Sequence, residues 1–262
     1  MAIQKFPLAT LQKVRQYIKN TLVLPKSEQH WTWTSSKSAD ELPEPNSLDA
    51  LGDLFKFGGV IESQLTSPRP SGHWLVSTLN PGTALAKLPG LKLKPGFRLI
   101  SYLYRAEVDG AGVVWAIPEA FGTTAQLEKP IAMAGALDQP PKPESALTDF
   151  MQAIEGDRSP QSFIIASLLR RELLEIGALG QHRNWSHHRL IDEPPAQVNW
   201  QWSTEQPKDL SPKVRLLPDQ AAVEFFTCRT VAPIALFRHI DQYLPGQYKA
   251  NSIDRVVAIA QR

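Results

Sequence analysis

FRLISYLYRAEVDGAGVVWAIPE, residues 97–119, reads as two strands folded about a reversal. Aromatic and β-branched residues crowd both arms: Phe97, Ile100, Tyr102 and Tyr104 on the first, Val113, Val114, Trp115 and Ile117 on the second. Between them DGAG (109–112) is a short glycine-containing turn of the hairpin type. The reading is an antiparallel pair over 97–108 and 112–119.

Helical and strand patterns flank this hairpin. TLQKVRQYIKNTL (10–22) places Leu11, Val14, Tyr17, Ile18 and Leu22 on one stripe, which predicts a helix. SLDALGDLFKFGGVIESQL (47–65) predicts another, with Ser47 as its N-cap. HWLVSTL (73–79) predicts a strand. Beyond the hairpin, SALTDFMQAI (145–154) and SPQSFIIASLLRRELLEIGALG (159–180) read as helices. The second opens on Ser159-Pro160, a cap followed by proline at the first helical position, and Gly177 and Gly180 supply stop signals. VNWQW (198–202), KVRLL (213–217), AVEFFTCRTV (222–231), PIALFRHI (233–240) and DRVVAIA (254–260) are then candidate strands. The fold class is α+β, antiparallel sheet with flanking helices, as two modules or as two halves of one fold.

Proline marks the connections. The 22 prolines cluster in ELPEPNS (41–47), PRPSG (68–72) and DQPPKPES (138–145). Proline removes a donor and biases its predecessor away from helix. The third cluster is the best boundary, so the division is 1–137, a linker at 138–145, and 146–262.

RLISYLYRAEVDGAGVVWAIPE resembles a segment of uncharacterised conserved proteins of cyanobacteria. That resemblance covers the hairpin alone and implies a cyanobacterial setting, with no activity and no functional residues attached.

Composition excludes several function classes. At 262 residues, 42% hydrophobic and 21% charged, the chain can bury a core of useful size. A net charge of +2 gives no general field for nucleic acid. The single cysteine, Cys228, permits neither an intrachain disulfide nor a cysteine-rich zinc site. No stretch resembles a signal peptide, and none is long and apolar enough to span a bilayer. A soluble, cytoplasmic protein without metal or cofactor is expected. GAG at 110–112 lacks the strand-to-helix setting of a dinucleotide fingerprint, and Gly58-Gly59 lacks the Lys-Ser/Thr of a P-loop.

The chemistry-rich segment is GQHRNWSHHRLI (180–191), with three histidines, two arginines and a tryptophan in twelve positions. His182 and His187 are five apart and His187 and His188 adjacent, spacings that do not share a helix face, which argues against a metal site. His182 and Arg183 follow a helix end, where cations meet unpaired carbonyls, and Trp185 can pack back over that end. Arg183, Trp185, His187, His188 and Arg189, with Arg170 and Arg171 upstream, also make a cationic–aromatic surface of a kind that suits a protein partner or RNA, its positive field diluted by Glu172 and Glu175.

WTW (31–33) and WQW (200–202) each set two indoles on one strand face, Trp31 with Trp33 and Trp200 with Trp202. Core packing accounts for such pairs, and so does anchoring a partner. With no catalytic motif in the chain, the leading expectation is a non-enzymatic accessory or adaptor protein that binds another protein. The alternatives are a hydrolase-like enzyme with a His-centred site drawn from His182, His187, His188 or His239, and an RNA-binding protein using residues 183–189.

Overall fold

The structure is a computed structural model that describes residues 2–29, 72–106, 109–203 and 205–261. The expected helix at 47–65, and Trp31 and Trp33, lie outside the described residues. The helices are α1 (Leu8–Thr21), α2 (Lys26–Gln29), α3 (Thr124–Glu128) and α4 (Pro160–Leu174). The early strands are β1 (Ala2–Lys5), β2 (His73–Val76), β3 (Leu91–Leu93), β4 (Phe97–Arg105), β5 (Gly110–Pro118) and β6 (Ile154–Gly156). The later ones are β7 (His188–Ile191), β8 (Trp200–Trp202), β9 (Lys213–Leu217), β10 (Gln220–Arg229), β11 (Ala235–Tyr243) and β12 (Ala250–Ala260).

All pairing is antiparallel, and the architecture is α+β. Seven strands form a curled half-barrel in the order β1-β9-β10-β11-β12-β8, with β7 beside the far half of β10. β2, β4 and β5 form a second sheet, and β3 pairs with β6.

The hairpin exists as β4 and β5, with Phe97 opposite Pro118 and Arg105 opposite Gly110. Its reversal falls earlier than DGAG: the Ala106 N–H donates to the Asp109 carbonyl, and Gly110 and Gly112 already belong to β5. Gly112 is needed for closeness rather than for turning, since a Cβ there would lie 2.4 Å from the Ile176 carbonyl oxygen. The continuous apolar run of β4 has a similar cause. One face packs on the central core and the other on Trp74, Ile117 and Leu127, so alternation with polar residues is lost.

α4 is the centre of the molecule. Ser159 accepts the Ser162 N–H and Pro160 opens the helix, as the cap pattern predicts. Eleven of its fifteen residues are buried, which marks an internal helix, not a surface one. It packs on β9 and β10 on one side, on β5 on another, and on α1. Its buried hydroxyls are satisfied: Ser162 meets Tyr248 and Ser167 meets Tyr243, each at 2.7 Å. The resulting core cluster draws residues from both sides of the 138–145 stretch, Leu99 and Val114 with Leu168, Val214 and Phe225.

SALTDFMQAI is not an α-helix. Asp149 caps a short 3-10 turn, Phe150–Ala153, and the chain then enters β6. Phe150, Met151, Ala153 and Ile154 are all buried, a spacing that also suits a helix face, but pairing with β3 satisfies the backbone from Ile154 onward. The five late strands form where the sequence places them. Among the described residues no helix is long and apolar enough to cross a membrane.

Leu168 is fully buried at the middle of α4. Leu168→Ala should lower the unfolding free energy by about 2–5 kcal/mol in urea denaturation. A loss below about 1 kcal/mol contradicts a close-packed centre at this helix.

Candidate functional site

Alternation along β10 and β11 sends Phe225 and Thr227, and opposite them His239 and Phe237, to the side of the large sheet that faces α4. β12 adds Asp254 opposite His239. β7 contributes His188, opposite Arg229. From the helix, Arg171 reaches back to the same place.

These side chains form one series. Asp254 Oδ1 lies 2.7 Å from His239 Nδ1, His239 Nε2 lies 2.8 Å from Thr227 Oγ1, and that hydroxyl lies 2.8 Å from His188 Nδ1. Arg171 bridges Asp241, at 2.5 and 3.0 Å, and Asp254, at 2.9 Å. Burial alone would raise the Asp254 carboxyl, but the His239 hydrogen bond and the Arg171 guanidinium outweigh it and hold the group well below the usual range. Asp254 is therefore ionised and only accepts.

One ionised end sets every proton in the series. Nδ1 of His239 must carry a hydrogen. Its Nε2 then accepts from Thr227, and the hydroxyl oxygen, its own proton used, accepts from Nδ1 of His188. Nε2 of His188 is left bare. Burial first, then His239 and Arg15, pull the His188 imidazole down to about 4. Burial also lowers His239, against the raising effect of its bond to Asp254. Both rings are neutral near pH 7.

A cavity of about 260 Å³ lies over this series, lined by His188, His239, Trp185, Phe237, Arg171 and Asp254, with His182, Asn184, Leu174 and Glu175 completing it. Among the described residues Nε2 of His188 has no hydrogen-bond partner. Trp185 forms one wall, stacked on His188 and edge-on to His239. Its indole N–H donates to Glu172 at 2.7 Å. Arg15, from α1, pairs with Glu172 at 2.6 Å, lies 4.4 Å over the indole ring, and donates to the carbonyls of Trp185 and His188. Glu175 accepts the N–H groups of Asn184 and Ser186.

The histidine-rich segment thus divides. Trp185 and His188 face inward and are buried; Arg183 and Arg189 are exposed, and His182 and His187 are half-buried. Arg183 donates to the Ala178 carbonyl, past the end of α4, and not to the helix's own last turn. Trp200 and Trp202 sit half-buried on β8, packed on the sheet's other face with Phe226, Cys228 and Leu236. Cys228 belongs to that other face, so it is Thr227 and not Cys228 that meets His239. Among the described residues no group of three or more His, Cys, Asp or Glu is placed to hold a metal ion.

Thr227, Asp254 and Phe237 are not among the sequence candidates, and Arg171 enters there only as a cation upstream of the histidine segment. The signal for them is polar residues on a core-facing strand side: His239 and Asp241 share a face with Phe237, as Thr227 does with Phe225.

An exposed histidine of the unfolded chain titrates near 6.5. Below that pH the unfolded chain binds protons that the folded one refuses, so stability falls as pH drops from about 6.5 toward the His188 value of about 4. The slope reaches about 1.4 kcal/mol per pH unit for each imidazole held neutral. Asp254, whose pKa is depressed, adds a loss in the same direction at still lower pH. In urea unfolding between pH 4.5 and 7, His188→Asn should flatten this slope; an unchanged slope contradicts a neutral, buried His188.

No known family model matches the chain, and no curated protein or solved structure shows significant similarity to it, so the cavity is the ground on which its function is argued.

Proposed function

We propose that the chain is an enzyme that performs general acid–base chemistry on a small molecule held between Trp185 and Phe237. Nε2 of His188 is the proton acceptor. The observation that carries this reading is the series Asp254–His239–Thr227–His188, which ends in an unpartnered ring nitrogen of a cavity-lining residue. A base needs a fixed tautomer and a free ring nitrogen that a substrate can reach, and both are present. The aromatic wall suits a partly apolar substrate, and a water held on Nε2 gives the hydrolase-like form of the same chemistry. His182 lines the cavity but belongs to no part of the series.

The test uses 5-nitrobenzisoxazole, a neutral aromatic whose ring opens when a base removes one proton, releasing a coloured phenolate. Wild type should open it above the buffer rate. His188→Ala, folded by circular dichroism, should lose at least about 100-fold, while His187→Asn, outside the cavity lining, should keep the rate. Reaction at the buffer rate by wild type, or equal rates in wild type and His188→Ala, overturns the reading.

A second reading, protein binding through β8, has its own observation. β8 ends the sheet's strand order, its half-buried tryptophans lie on one face, and the exposed Ile259 stands opposite Gln201 on the other. It predicts that Ile259→Glu removes a stoichiometric partner from protein purified gently from its own host and leaves 5-nitrobenzisoxazole opening unchanged. Equal partner recovery with the variant sinks it.

A further inference from the structure

We propose that the site continues past Leu174 into a second cavity, and that the part of the ligand bound there carries a carboxylate or phosphate received by Arg170. This rests on the acid–base reading of the first cavity. The second cavity, also about 260 Å³, is walled by Val113, Trp115, Phe150 and Leu173, with Arg170 as its cation. Leu174 lines both cavities. It is 54% exposed, a large apolar side chain left open at the point where the two meet.

Helix geometry explains the division. Leu174 stands four residues after Arg170 and three after Arg171, so it lies over both, with one guanidinium toward each cavity. The two arginines differ in what they have left to give. Arg171 is neutralised by Asp241 and Asp254. Arg170 makes no ion pair among the described residues; its Nη1 donates to the Ser252 hydroxyl at 3.2 Å, and its Nε is buried without an acceptor. Asp149 also lines this cavity, but one of its oxygens caps the Met151 N–H. That Nε–H is closed to solvent and to a ligand alike, so an oxyanion in the cavity takes the Nη–H groups, a charge-assisted contact with a guanidinium that no carboxylate among the described residues neutralises. The ligand is therefore amphipathic: an anionic group on Arg170, an apolar body along Trp115 and Leu174, and an acidic proton at His188.

The probe is 1-anilinonaphthalene-8-sulfonate, an anionic amphipathic dye followed by fluorescence, beside neutral N-phenyl-1-naphthylamine. Arg170→Met should weaken the anionic dye at least tenfold and leave the neutral one unchanged. Arg170→Gln, which retains a donor for Ser252, serves if the methionine variant does not fold. The anionic dye should also inhibit 5-nitrobenzisoxazole opening competitively, as one continuous site requires. Displacement by 2-naphthoate against 1-naphthyl phosphate tells which oxyanion is preferred. Absence of dye binding by wild type, equal loss of both dyes, or binding without inhibition overturns the proposal. His188→Asn should keep dye affinity while losing turnover, so failure of the anion subsite and failure of the acid–base reading are read separately.

Discussion

Two adjacent residues of α4, Arg171 and Glu172, carry opposite charges into the core, and each must be paired where it lands. A buried charge without a partner costs several kcal/mol, so its partners are as constrained as the charge itself. Arg171 meets Asp241 and Asp254 on the sheet. Glu172 meets Arg15 on α1 and the indole of Trp185. The helix is thereby fixed in both rotation and height between the sheet and α1, and its position is not left to apolar packing, which tolerates small slips. The candidate site inherits that precision. Asp254 orients His239, and Arg15, held by Glu172, grips the carbonyls of Trp185 and His188. Both ends of the histidine series are tied to neighbouring residues of one helix.

The parts of the fold legible in the sequence are those whose cause is local. β4 and β5 were readable because their apolar runs stand close together about a reversal, and α4 because Ser159 and Pro160 announce its start. The position of the reversal was not, since Gly110 and Gly112 look like turn residues whether they turn the chain or let Ile176 approach it. SALTDFMQAI misleads for a related reason. Its composition suits a helix, but Asp149 caps a single turn and β3, more than fifty residues earlier, supplies the backbone partner.

The site was less legible than the fold. RRELLE reads as two cations of a contact surface diluted by the acids that follow, because nothing in the stretch distinguishes an exposed charge from one with distant partners. Those partners lie 70, 83 and 157 residues away, at Asp241, Asp254 and Arg15. The histidine segment stands out in the sequence as chemistry-rich, yet its last four residues are strand β7, where alternation turns His188 inward and Arg189 outward. Thr227 carries no signature as a single residue. Its meaning comes from standing between two rings that the topology brings to one face.

The threonine hydroxyl is the bridge that joins the tautomers of the two histidines. When a proton arrives at Nε2 of His188, the Nδ1 proton can pass to Thr227 Oγ1 as the hydroxyl proton passes to His239 Nε2. The positive charge then rests on His239, where the Asp254 carboxylate 2.7 Å away favours it against burial and Arg171, and leaves His188, where burial and Arg15 disfavour it and no carboxylate is bonded. His188 finishes neutral with its hydrogen on Nε2. The cavity nitrogen that began as an acceptor is now a donor, and no net charge remains on His188 itself. A valine at position 227 would preserve the shape of the sheet and remove this reversal, confining His188 to the weak basicity of an imidazole near 4. The hydroxyl is thus what makes a buried, easily deprotonated histidine useful for both halves of an acid–base cycle, taking a proton at one atom of a substrate and returning it at another.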